Sequence, residues 1–142
     1  MTKTNIYLIL AAAGLALAGC NKAESPADVQ HDVSNAQAEA QRDVTDAQAD
    51  AQESMADAQK DVAEAQADND ADDVADQARD ASETAAQGDF KVAVARAEAT
   101  HKIAVEKCEA LQDNAQEDCK ARADADLENA KRAAEARRDG AG

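Results

Sequence analysis

The sequence predicts an all-α fold: a long, extended and partly disordered acidic helix, then an antiparallel helical hairpin, with no globular core. Three observations carry that prediction. The apolar fraction is mostly alanine, since the 142 residues include one Phe, one Tyr, no Trp and one Pro. Alanine buries little area, so there is no material for a globular core. An eleven-residue repeat runs through the first half of the chain and has a helical period. Two cysteines, Cys108 and Cys119, stand eleven positions apart in a stretch that otherwise reads as helix. On one unbroken helix they would lie roughly 16 Å apart along the axis, beyond the reach of a disulfide.

The elements follow in chain order. Residues 1–19, "MTKTNIYLILAAAGLALAG", carry Lys3, an apolar run from Ile6 to Ala18, and small residues. The run is shorter than the roughly 20 apolar residues that span a bilayer, so it reads as an export signal. Its end, Leu17-Ala18-Gly19-Cys20, resembles the lipobox of bacterial lipoproteins. That resemblance implies a diacylglyceryl group on the Cys20 thiol, cleavage just before it, and an N-acyl chain. Several acyl chains hold a protein at a membrane durably. The competing reading is ordinary cleavage after Ala16-Leu17-Ala18, with Cys20 left as a thiol. Cysteine parity favours the lipid, because acylating one of three leaves an even pair. Asn21 follows the lipid site where enteric inner-membrane lipoproteins carry aspartate, which points to the outer membrane and its periplasmic face.

Residues 20–27 read as a lipidated tether, with Pro26 near the first turn of the next helix. Residues 28–89 form the acidic segment. From Glu24 to Asp89 there are 19 acidic and 3 basic residues, whereas Phe90 to Gly142 holds 11 acidic and 10 basic. The junction at Gln87-Gly88-Asp89 therefore reads as a boundary between two materials. Within the acidic part, "DVSNAQAEAQR" is followed by "DVTDAQADAQE", identical at seven of eleven positions, and "SMADAQKDVAE" keeps Met55 where the first two units have Val33 and Val44. Eleven residues make three turns, so these positions form a nearly straight stripe. As one helix, Val29 to Asp89 would reach roughly 90 Å. Acidic pairs such as Asp46/Asp50, Asp57/Asp61, Glu64/Asp68 and Asp72/Asp76 repel at i,i+4, which predicts a frayed, salt-sensitive helix. The repeat resembles the eleven-residue motifs of late-embryogenesis-abundant stress proteins and of apolipoprotein-like helices, but few basic residues flank its apolar stripe.

No reaction is written in the chain, and the expectation is a non-enzyme without metal or cofactor. "DNDADD", Asp68 to Asp73, has the carboxylate spacing of the first half of an EF-hand loop, but Asp73 stands where glycine is required and Arg79 where the final glutamate belongs. His101 lies two turns from Cys108 on one face, yet no further zinc ligands accompany them. A net charge of −15 argues against nucleic-acid binding, because such a surface repels phosphate.

Residues 90–138 form the hairpin, with 139–142 a disordered tail. Export brings an oxidising compartment, in which Cys108 and Cys119 should pair if geometry allows. If the chain reverses at Asp113-Asn114, residues whose numbers sum to 227 face one another: Cys108 with Cys119, Ala104 with Ala123, Ala97 with Ala130 and His101 with Asp126. Small residues on this seam permit close antiparallel packing. The alternative is one continuous helix with free thiols or intermolecular bridges, because Gln112 to Gln116 contains neither Gly nor Pro.

The segment "HKIAVEKCEALQDNAQEDCKARADAD" resembles the C-terminal part of small exported proteobacterial proteins, sometimes labelled TolA-like. Lys102, Ala104, Glu106, Cys108, Leu111, Ala115 and Cys119 match their pattern, which implies export and a paired-cysteine helical segment. Two functions fit. One is a cell-envelope lipoprotein acting as a spacer or interaction helix, in contact with the membrane through its lipid, with an envelope protein or peptidoglycan, or with further copies of itself. In style it is similar to Braun-type murein lipoproteins, though without their terminal lysine. The other is a stress-protective, conditionally folded protein of the late-embryogenesis kind.

Overall fold

The computed structural model describes residues 23–68 and 71–140. The export signal and Cys20 lie outside the described residues, as do Asn69 and Asp70 of the EF-hand-like run. The described residues form three helices: α1, Pro26–Asp68 (43 residues), α2, Ala71–Cys108 (38 residues), and α3, Asp113–Asp139 (27 residues). Among the described residues there is no strand. The all-α class stands, with a long acidic helix leading into an antiparallel hairpin. The length of that first helix is corrected. The acidic segment expected to run unbroken from 28 to 89 stops at Asp68 and resumes as α2, antiparallel to α1, so its reach falls from roughly 90 Å to roughly 65 Å. The charge boundary at Gln87-Gly88-Asp89 lies inside α2.

Helix α1 starts where Ser25 caps it. The Asp28 backbone N–H donates to Ser25 Oγ at 3.3 Å, and the Ser25 hydroxyl donates to Asp28 Oδ2 at 2.7 Å. Pro26 occupies the first helical position, where its missing N–H costs nothing. The helix therefore begins inside the expected tether. Its apolar stripe is the repeat itself. Val29, Ala36, Ala40 and Ala65 are buried, and Val33, Val44, Ala51, Met55 and Val62 are half-buried between them. Val29, Ala40, Ala51 and Val62 are spaced by eleven, as are Val33, Val44 and Met55.

Helix α2 is the middle of a three-helix layer: α1 and α3 pack on it and not on each other. Gly88 meets α1 at Ala51, while Phe90 lies under Arg138 of α3. Two residues turn a helix by about 200°, so these contacts leave opposite sides of α2. Gly88 is required by the close approach: a Cβ built there would stand 3.1 Å from the Ala51 Cβ. Lys102 of α2 pairs with Glu39 of α1 at 2.5 Å, and Glu98 of α2 pairs with Lys131 of α3 at 2.9 Å.

The chain reverses between α2 and α3 without glycine. Leu111 N–H bonds to the Cys108 carbonyl at 2.9 Å, and Asp113 takes the left-handed conformation, with φ at 50°, as α3 begins. Aspartate is one of the few residues that adopt it readily. The single-helix alternative is thus replaced by the hairpin, and α3 runs through Asp139 into the expected tail. Because α3 flanks only the second half of α2, the molecule has two parts. Below Ala51 and Gly88 lies a three-helix base; above them, residues 52–68 and 71–87 form a two-helix arm.

Candidate functional site

The hairpin tip gathers most of the chemistry. Cys108 and Cys119 are joined in a disulfide, with Cα atoms 5.7 Å apart. The pairing by numbers summing to 227 extends down the seam, where Ala97, Ala104, Ala123 and Ala130 line one small cavity of about 150 Å³. His101 and Asp126 border that same cavity, at the level the pairing sets, while the polar contact of His101 is with Asp124, whose Oδ1 lies 2.7 Å from its Nε2. At 100° per residue the two aspartates flank Ala123 on opposite sides, and the pairing rule sets a level along the axis, not a side.

Glu109, the first residue past α2, ties three helix ends together. Its carbonyl accepts the Glu24 N–H at 3.0 Å, at the threshold of α1. Its carboxylate accepts from Gln116 Nε2 at 2.6 Å and pairs with Lys120 Nζ at 2.5 Å, both in α3. This knot was missed in the sequence, where nothing distinguishes Glu109 from its acidic neighbours. It also alters Glu24. Partial loss of hydration, followed by repulsion from Asp32, Glu109, Glu106 and Asp28, raises its carboxyl above the ordinary range. Farther down, the hydrogen bond from Lys102 and then its charge lower the Glu39 carboxyl, and the hydrogen bond to Glu98 raises the Lys131 amine.

Two open clefts flank the base. One, of about 420 Å³, surrounds the disulfide and includes Leu111, Ala115, Asp118 and Arg122. The other, of about 560 Å³, is lined by residues of all three helices, among them Gln48 and Gln52 of α1, Phe90 and Arg96 of α2, and Arg137 and Arg138 of α3. The Arg138 guanidinium sits 4.6 Å from the Phe90 ring centroid, a cation–π contact that fastens the end of α3 to the middle of α2. Phe90 is the chain's one phenylalanine, so the pairing has no repeat or spacing to announce it.

Among the described residues no group of three or more His, Cys, Asp or Glu side chains is placed to hold a metal ion. His101 and Cys108 do not form a ligand pair, since the Cys108 sulfur is committed to Cys119. No helix among the described residues is long and apolar enough to cross a membrane. No protein-family model, curated protein or solved structure matches the chain.

Proposed function

We propose that the chain is a cell-envelope lipoprotein, anchored through Cys20 to the periplasmic face of the outer membrane, that serves as a helical spacer or interaction rod. One observation carries the reading. The Glu24 N–H is bonded to the Glu109 carbonyl, so the body of the rod begins at its base, four residues after the lipobox cysteine. An anchor at Cys20 then leaves the acidic arm pointing away from the attachment, at the end of a rod roughly 65 Å long. An envelope protein, peptidoglycan or another copy is the expected contact of the arm.

The reading is tested by intact-mass analysis of the membrane-extracted protein with and without reductant. The expected mass carries the acyl groups on Cys20 and rises by two hydrogens on reduction. A mass for cleavage after Ala18 with no lipid would overturn the anchor. A second reading, the stress-protective and conditionally folded protein, is favoured by the makeup of the seam, whose buried side chains in α1 are one valine and three alanines. Circular dichroism separates the two. Strong helicity in dilute buffer supports the spacer, and helicity that appears only on drying or crowding supports the protectant.

A further inference from the structure

We propose that the Cys108–Cys119 disulfide is a polarised site of thiol–disulfide exchange, at which an incoming dithiol protein attacks Cys119 and displaces Cys108. The inference stands on the hairpin tip alone and holds for either function proposed above. A thiolate attacks a disulfide in line, along the axis of the bond it breaks, so access decides which sulfur receives it. The two cysteines differ in exposure. Both line the open cleft of about 420 Å³, but Cys108 is 1% exposed whereas Cys119 is half-buried.

Electrostatics favours the other direction. Cys108 ends α2, where the helix dipole disfavours a thiolate, while Cys119 sits in the second turn of α3, where it is mildly stabilised. That influence falls off within a turn and changes a rate by a small factor, whereas a blocked approach removes the route. Access therefore wins. The cleft also suits a protein reagent. Leu111, 39% exposed, is a large apolar side chain that lines it, as does Arg122. An exposed leucine next to a reactive sulfur offers an apolar contact to the surface around a dithiol motif.

The thiolate of the dithiol protein forms a bond to Cys119 Sγ as the Cys108–Cys119 bond breaks, and Cys108 leaves as a thiolate that takes a proton from solvent. The second thiol of the dithiol, as its thiolate, then attacks its own partner sulfur and expels Cys119 as a thiolate, which is protonated in turn. The chain's disulfide is reduced to two thiols and the dithiol is oxidised to a disulfide.

The test uses the full oxidised chain with glutathione as the attacking thiol, quenched in acid at early times, with released thiols alkylated. Fragmentation of the tryptic peptide Cys108 to Lys120 then locates both labels. The expected product carries glutathione on Cys119 and the alkyl group on Cys108, in excess of the reverse by about tenfold or more. An even split, or glutathione mainly on Cys108, would overturn the assignment. In a second arm, Leu111→Ser should slow reduction by a thioredoxin-fold dithiol protein about fivefold, the loss expected from one partly buried apolar contact, and leave reduction by dithiothreitol unchanged. Equal rates for wild type and L111S with the protein reagent would remove Leu111 from the site.

Discussion

The base and the arm share one building plan and differ in how it is secured. Both are antiparallel helices on alanine-rich seams, and the eleven-residue stripe of α1 runs through both. In the base the seam is crossed by a disulfide, by the Glu39–Lys102 and Glu98–Lys131 pairs, and by Arg138 over Phe90. In the arm, Lys60–Glu64 and Arg79–Asp76 stay within their own helices, and residues 52–87 hold 11 acidic and 2 basic side chains. Alanine packing alone gives little per residue, so the added cross-links decide where the molecule is firm. The base should unfold last and the arm should open first.

The largest way to break this contrast is to remove the disulfide. Cys108→Ser with Cys119→Ser, or reduction, should destabilise the hairpin by about 3 kcal/mol on the chain-entropy estimate for a loop of this length. In urea followed by circular dichroism, the base should lose its lead over the arm and the two should melt together. Hydrogen exchange should rise through α3 ahead of α1. An α3 as protected after reduction as before would show that the seam and ion pairs suffice.

Next comes the joint between the two parts. Gly88→Leu places a side chain where even a Cβ stands 3.1 Å from the Ala51 Cβ. Overpacking of this kind costs about 1 to 3 kcal/mol, visible as a lower urea midpoint. Because Ala51 is the obstacle, Ala51→Gly in the same chain should recover part of the loss. A double-mutant cycle with no coupling would place the strain elsewhere.

Gly88 also shows what could be read in advance and what could not. Its place between an acidic and a balanced stretch made it read as a boundary, but glycine in a helix also marks close approach of another backbone, and that is its use here. Composition changes at residue 88 because a third helix joins there, while the backbone continues. The stripe of Val33, Val44 and Met55 was legible because a packing face must repeat with the helix. The meeting of Cys108 with Cys119 was legible because antiparallel partners obey a fixed sum. The fold-back after Asp68 was hidden by charge. Asp68, Asn69 and Asp70 are turn-prone residues, but in so acidic a run they read first as a spacing of carboxylates. Function stayed the least legible, since the Glu109 knot and the cleft at Cys119 depend on residues brought together from separate helices.

A smaller effect sharpens the description of the arm. Asp57 and Asp61 lie one turn apart on α1 and repel. Asp57→Ala should stabilise the arm by about 0.2 to 0.5 kcal/mol through that pair, with a further gain from alanine's better helix propensity. The pair's share should shrink in high salt, whereas the propensity gain should not. If the whole gain persists in high salt, repulsion is not what loosens the arm.

The smallest effect belongs to the foot of the base, where two carboxylates respond to acid in opposite senses. Lys102 holds Glu39 below its ordinary range, so its contribution is present above the unfolded value and is lost as pH falls through the lower, folded value. Glu24 is raised, so the folded state prefers it protonated. Ionising it costs stability at neutral pH, and that cost disappears as pH falls below the unfolded value. Both groups are exposed and screened by solvent, so the effects are slight. Glu24→Gln should raise the urea midpoint a little at pH 7 and leave it unchanged well below the unfolded value of 4.5. Lys102→Met should do the reverse at Glu39, lowering the midpoint at pH 7 and losing that effect in acid. Should Glu24→Gln lower the midpoint at neutral pH, the crowding of Asp28, Asp32, Glu106 and Glu109 around it would not be a cost, and the join between α1 and the hairpin tip would rest on Glu24's charge and not on its backbone N–H alone.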